Sequence, residues 1–503
     1  MEVNMLYKST RGNCSNVSSA EAIKRGLAAD GGLFVPEKVI RFDNNEILKM
    51  SEMTYQQRAL TVLQGYLDDY TLSELTDCVN QAYTAQKFET EAIAPLHKLY
   101  DSVNVLELWH GPTSAFKDMA LQILPHFLVK ALKKTGEKEE IVILVATSGD
   151  TGKAALEGFK DVEGTKIIVF FPNDGVSQVQ KMQMVTQEGK NVFSIAVNGN
   201  FDDAQNGVKR IFSDEEVSAL LHDNGYKFSS ANSINWGRLV PQIVYYFSAY
   251  ADMLKNKEIE IGEKINFVVP TGNFGNILAA YYAREMGLPI NKLICASNEN
   301  NVLTDFINTG VYNRNREFKK TLSPSMDILI SSNLERLLYL VTEGNTKMVS
   351  GWMNKLKMEG VYAVDQDIRK KIQNVFWADY SNDSDTLKTI ESVYSETGYV
   401  LDTHTAVAVD VYDKYVISTS DVTKAVIVST ASPFKFNESV VKAIAGEKAV
   451  AGKSEFELLS VLSEISGMKI PAPLKELDKK PVLHKEICDP MDMMEKVKEA
   501  LKI

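Results

Sequence analysis

Cysteine is scarce in this 503-residue chain: four residues, Cys14, Cys78, Cys295 and Cys488, with no CxxC pair among them. That usage fits neither a disulfide-built secreted scaffold nor a cysteine-rich metal module. Histidine is equally sparse, with six residues and no HxH or HExxH spacing, so no metal site is expected. No run of 18 apolar residues occurs, which excludes a spanning helix. The opening MEVNMLYKST has no apolar signal core and carries Glu2 early. A cytoplasmic location without a membrane partner is therefore expected. Positive charge is also short: 55 Lys and Arg against 66 Asp and Glu leave −11. The chain thus lacks the basic field that nucleic acid requires, and no nucleic-acid partner is expected.

What is present is ordinary globular composition, 45% hydrophobic and 24% charged, with 29 Gly and 14 Pro. At about 150 residues per domain the length corresponds to roughly three domains. Residues 1–95 read as mainly helical, with a helix start at Ser19 and capping residues ahead of Leu72. The stretch Gly31-Gly32-Leu33-Phe34-Val35-Pro36 reads as a turn and a short extended piece. From about residue 103, short β-branched runs alternate with helical stretches. Strands are predicted at 105–109, 141–146, 166–171, 192–197, 265–269, 293–296 and 425–429. Helices are predicted at 118–134, 151–160, 179–188 and 276–287. This is the pattern of an α/β protein with largely parallel sheets. After residue 437 the chain is charged and helical, with Met491–Met494 as a core-facing stripe. The expected division is 1–95, then a core of 96–436 with a mobile unit at about 140–235, then a helical extension of 437–503.

Parallel sheets place ligands at the carboxyl ends of their strands, and three loops there stand out. Thr147-Ser148-Gly149-Asp150-Thr151-Gly152-Lys153 reads either as a capped strand–helix turn or as an anion site. It is not a Walker A loop, because Thr147 replaces the first glycine and Ala154 follows Lys153. Thr271-Gly272-Asn273-Phe274-Gly275-Asn276 would expose successive backbone N–H groups to a phosphate, although a plain tight turn has the same residues. His110-Gly-Pro-Thr-Ser-Ala-Phe-Lys117-Asp118 puts a lysine in the first turn of a helix, where a cation opposes the dipole. Positive surroundings and burial favour a neutral amine, as Schiff-base chemistry needs, whereas a solvated surface lysine is the ordinary alternative. His110 reads as a hydrogen-bonded turn residue, Cys295 as a small buried residue, and Lys435 as solvated or at a site's rim.

The lysine segment resembles the cofactor-lysine motif of the threonine synthases in their long bacterial and fungal form. The resemblance continues through Thr147–Gly152, Asn232-Ser-Ile-Asn-Trp-Gly-Arg238, Thr271–Asn276 and Ser429-Thr-Ala-Ser-Pro-Phe-Lys435. It also takes in the opening Ser18–Pro36. It implies a fold type II pyridoxal-phosphate enzyme, tryptophan synthase β-like, with a helical N-terminal domain and a helical C-terminal extension. It further implies conversion of O-phospho-L-homoserine and water into L-threonine and phosphate, the last step of threonine biosynthesis.

Carried over by position, the resemblance makes Lys117 the catalytic, cofactor-bonding lysine. Thr271, Gly272, Asn273, Phe274, Gly275 and Asn276 would bind the cofactor, Thr430 would sit at its ring nitrogen and Asp150 near its phenolic oxygen. Thr147, Ser148 and Thr151 would hold the substrate carboxylate, and Asn232, Ser233 and Arg238 its phosphate. An arginine suits a phosphate monoester because its fork makes two parallel bonds. Ser432 stands where longer members often have His. A monomer or weak homodimer is expected. The competing readings are a related lyase acting on O-phosphothreonine and a non-enzymatic phosphate- or nucleotide-binding module.

Overall fold

The computed structural model describes residues 5–147, 149–174 and 176–503. Two sheets organise it. The larger has six strands in the order Phe376–Tyr380, Ile290–Ser297, Ile265–Pro270, Ala425–Ser429, Val103–Glu107 and Leu96–Tyr100. All neighbours in it are parallel except the last pair. The smaller is wholly parallel, in the order Ile487–Cys488, Val192–Val197, Thr165–Pro172, Glu140–Ala146 and Tyr226–Ser229. All six residues of Ile265–Pro270 are buried, as are all five of Ala425–Ser429. Helices cover both faces of such strands, which is why they read as largely apolar runs.

The predicted strands all form, within a few residues of their predicted ends. The helix predicted over 118–134 divides into Asp118–Leu121 and Leu124–Lys134. Pro125 causes the break, since it has no N–H to offer and its ring would press on the carbonyl four residues back. Lys117 accordingly occupies the N-cap position just ahead of a four-residue helix rather than lying inside a first turn. The C-terminal stretch supplies, besides its helices, the edge strand Ile487–Cys488 paired to Val192–Val197. Its last helix, Met493–Leu501, buries Met493, Val497 and Leu501 among the apolar residues of the smaller sheet. No described helix is long and apolar enough to cross a membrane.

Two glycines set how the Asp150 helix approaches the Lys117 loop. Gly149 has φ of +153°, which an L side chain rarely adopts, and from it the chain turns sharply into the helix Asp150–Phe159. On that helix a Cβ at Gly158 would lie 2.1 Å from the Leu121 carbonyl oxygen. Glycine there lets the Asp150 helix lie directly against the short helix that follows Lys117.

Candidate active site

Lys117 is fixed by stitching between two strand ends. The Phe116 N–H donates to the Thr430 carbonyl at 2.8 Å, and the Ser432 N–H donates to the Ser114 carbonyl at 3.0 Å. Within the loop, Asp118 accepts from the Thr113 N–H at 2.7 Å and from the Thr113 hydroxyl at 2.9 Å. Burial pushes the Asp118 carboxyl up to about 7. The result is a buried Lys117 whose Nζ lies 3.3 Å from Ser325 Oγ and 3.6 Å from Asp150 Oδ2. Its backbone neighbour across the stitch is Thr430, also buried.

Asp150 is the hub. Its Oδ1 accepts from Lys435 Nζ at 2.5 Å and from Gln180 Nε2 at 3.1 Å, and its Oδ2 accepts from Ser325 Oγ at 3.2 Å. Burial alone would raise this carboxyl, but the Lys435 ammonium first, and then Lys117 whenever it is protonated, outweigh burial and hold it well below the carboxylate range. Burial pulls the Lys117 amine down, Asp150 opposes that, and Lys435 and Arg238 add to it. Ser325 is itself oriented: its N–H donates to His404 Nε2 at 3.1 Å, while His404 Nδ1 meets Asp402 Oδ1 at 2.9 Å. Because Nε2 accepts here, the proton of the imidazole sits on Nδ1 and points to Asp402.

The loop 271–276 approaches from the other side. A Cβ at Gly272 would lie 2.9 Å from the Ser325 carbonyl oxygen, so this loop touches the turn that contacts Lys117. Thr271 is tied down by its own N–H to Ala296 O at 2.8 Å and its hydroxyl to Val269 O at 2.7 Å. Phe274 takes φ of +63° and leads into the helix Gly275–Glu285, whose first turn no side chain caps. Free N–H groups at a helix start suit an anion. The Phe274 ring packs 5.7 Å from Phe376, so the backbone is what it can offer a cofactor. Asn276 Oδ1 accepts from the hydroxyls of Tyr245 and Tyr246, leaving its buried Nδ2 without a partner.

Of the residues assigned to substrate, Arg238 is buried, with Nη1 donating to Ala231 O at 3.0 Å and Nε unpartnered. Burial draws its guanidinium down to about 10, still charged at neutral pH. Ser233 is brought to the 271–276 loop by Asn333, whose Nδ2 donates to both Ser233 O and Asn273 O at 3.1 Å. Asn232 is exposed beside it. Thr147 spends its hydroxyl locally, accepting from the N–H groups of Gly149 and Gly152 at 3.0 Å. Its position is therefore that of a loop-shaping residue. Thr151 is half-buried, and Ser148 lies outside the described residues. His110 is a turn residue bonded to Glu107 at 2.7 Å, and Cys295 is buried, as expected.

Lys435, Ser325, His404, Gln180 and Asn333 were not found by sequence reasoning. Only Lys435 had a signal, its place at the end of a strand-terminal motif. It is fully buried rather than solvated or at a rim.

This donor set fits pyridoxal phosphate. Lys435 and Asp150 neutralise each other, while the buried Arg238 guanidinium near Lys117 has no carboxylate partner among the described residues, a charge that an anion would balance. The orphaned Asn276 Nδ2 and the uncapped helix start can donate to a phosphate. Lys117 has the amine that an aldehyde takes.

Residues 6–83 match the family described as threonine synthase N terminus, 92–351 that of pyridoxal-phosphate dependent enzymes, and 405–500 that of threonine synthase, C-terminal. The threonine synthase of Saccharomyces cerevisiae is 36% identical over 469 residues, covering 88% of this chain and 89% of that protein. The chain belongs to the threonine synthase family. A crystal structure of pyridoxal-phosphate-bound threonine synthase from Brucella melitensis matches with a TM-score of 0.88 at 36% identity, covering 99% of this chain and all of that one. The human protein named threonine synthase-like 1 is 41% identical over 435 residues, 84% of this chain. The chain spans 58% of the length of that relative. Threonine synthases of this family are pyridoxal-phosphate dependent, and the fold is that of type II.

Proposed function

We propose that this member of the family converts O-phospho-L-homoserine and water into L-threonine and phosphate. The observation that carries the reading is a buried Lys117 amine beside Asp150, with the buried Arg238 guanidinium near enough to act on it and its Nε without a partner. The threonine synthases of yeast and Brucella supply the substrate class by similarity. When bound, pyridoxal phosphate supplies delocalisation for the charge left on carbon as protons depart.

The rest falls to the chain's own residues. Lys117 Nζ takes and returns protons at the substrate carbons, which requires the neutral amine that burial favours. Arg238 grips the substrate phosphate and stays on it as its bond to carbon breaks, stabilising the leaving dianion. Residues 271–276 anchor the cofactor phosphate. Thr430 would hold the cofactor ring with a hydroxyl, which cannot protonate the ring nitrogen as a carboxylic acid would. Low exposure at Lys117, Asp150 and Arg238 limits water to what the reaction consumes.

The experiment is a product assay on protein loaded with pyridoxal phosphate. O-phospho-L-homoserine as sole substrate should give threonine and phosphate in equal amounts. Conversion of O-phosphothreonine to 2-oxobutyrate, ammonia and phosphate, with no threonine from phosphohomoserine, would assign the chain to a lyase instead. A protein that takes up no cofactor and stays colourless would return it to the class of simple phosphate binders.

A further inference from the structure

Lys435 sits on the short turn Pro433–Phe436 after the strand Ala425–Ser429, and its side chain is fully buried. Among the described residues its only ion-pair partner is Asp150, at 2.5 Å. Its ammonium also donates to the Thr113 carbonyl at 3.0 Å, in the same loop that carries Lys117. Asp150 therefore stands between two lysines, close to Lys435 and more distant, at 3.6 Å, from Lys117. The two lysines compete for one charge.

We infer that Lys435 is a positioning residue for Lys117: it takes up the charge of Asp150, so that the Lys117 amine stays uncharged and free to bond the cofactor aldehyde. This rests on the reading of Lys117 as the cofactor lysine. A carboxylate facing a lysine alone would hold it as the ammonium, which has no lone pair to attack with. With Lys435 nearer and held by two acceptors, Asp150 keeps its charge while its field at Lys117 is largely cancelled. Asp150 remains available to orient Ser325 and Gln180. The other charged or titratable groups around Lys117 and Asp150 are Arg238 on the helix Trp236–Lys255, Asp118 on the Lys117 loop and His404 with Asp402 on the helix Thr403–Thr419. Arg238 acts on Lys117 in the same direction as Lys435, but it is not paired with Asp150. Removing Lys435 leaves Lys117 as the only lysine beside that carboxylate.

The test reads Lys117 directly. Full-length protein freed of cofactor is mixed with pyridoxal phosphate between pH 6 and 10. The rate of covalent capture is followed by visible absorbance, and the attachment point is mapped by borohydride reduction and peptide mass. In Lys435→Met the midpoint of the rate profile should rise by about one pH unit or more, slowing capture at pH 7 about tenfold or more. Lys435→Arg should keep the wild-type midpoint. Asp150→Asn should lower it, and Asp150→Asn with Lys435→Met should return it close to wild type. Opposite shifts that cancel are what a merely structural Lys435 would not produce.

If Lys435→Met does not accumulate as folded protein, the double variant decides alone, since it removes both buried charges together. A wild-type midpoint in Lys435→Met, or a double variant displaced from the wild-type midpoint in either direction, above all one as low as Asp150→Asn, would overturn the inference. Attachment of the cofactor elsewhere in the wild-type protein would overturn the reading of Lys117 and the inference with it, whereas unchanged midpoints with attachment at Lys117 would overturn the inference alone.

Discussion

The Tyr246 hydroxyl donates to Asn276 Oδ1 at 2.6 Å, from the long helix Trp236–Lys255 onto the first turn of the next. Tyr245 donates to the same oxygen at 2.5 Å. Two phenols on the oxygen leave the amide nitrogen as the outward donor, so the helix pair fixes which end of Asn276 can meet a phosphate. A buried amide could otherwise flip and present its acceptor, which would repel an anion.

Replacing these phenols should loosen the cofactor without unfolding the protein. Each hydrogen bond is worth about 1 kcal/mol, so Tyr246→Phe should weaken pyridoxal-phosphate retention about fivefold. Tyr245→Phe with Tyr246→Phe should weaken it about tenfold or more. Equilibrium dialysis against free cofactor measures this, and unchanged retention in the double variant would remove the orienting role.

The strands that could be read from the sequence are those buried on both faces. Residues 141–146 are a continuous apolar run, and 265–269 one interrupted only by Asn266, because helices cover each side of their sheets. The strands that escaped lie at edges. Leu96–Tyr100 carries exposed His97 and Lys98, Tyr226–Ser229 is half polar, and Phe376–Tyr380 contains Asp379. One-sided edges carry no such run.

The site divides in a similar way. The loops that carry Lys117, Asp150 and residues 271–276 follow strands and were legible locally, whereas the place of Asp150 itself came only through the family resemblance. Ser325, His404 and Asn333 reach the same site from a turn, a helix start and a helix cap distant in sequence. Nothing near them in the chain marks that convergence, which only packing creates. Lys435 was visible in a motif, but its burial was not, because most lysines are solvated and sequence cannot show which one has a buried carboxylate waiting.

Arg238 should matter for the substrate and little for the fold. Loss of a charge-assisted pair to phosphate costs about 2–3 kcal/mol, so Arg238→Met should lower kcat/KM for phosphohomoserine roughly 30- to 150-fold. Arg238→Lys should recover little, because an ammonium cannot make the paired bonds of the guanidinium. Cofactor content, read from the visible spectrum, should stay at the wild-type level. A fall in cofactor content as large as the fall in activity would move Arg238 from substrate to cofactor.

Acid should destabilise the protein partly through His126. Burial first, and then the charge of Lys87, draws this imidazole from its ordinary value of 6.5 down to about 4. Between these values the unfolded chain binds a proton that the folded chain refuses, so stability falls as pH drops through 6.5 toward 4. The full difference amounts to about 3 kcal/mol, all of it present above pH 6.5. His126→Gln should flatten this part of the curve, measured as urea midpoints at pH 7.5, 5.5 and 4.5. An unaltered acid slope in the variant would mean that other groups set it.

The central claim is that the amine of Lys117 is the one that bonds the cofactor. Borohydride reduction of the loaded protein, followed by proteolysis and mass spectrometry, tests it most directly. The peptide containing Lys117 should carry the mass of a reduced pyridoxyl phosphate, and no visible band should remain after reduction. Lys117→Ala should carry no such mass and should release phosphate from phosphohomoserine at least about 1,000-fold more slowly. A pyridoxyl mass on any other lysine, with Lys117 unmodified, would contradict it.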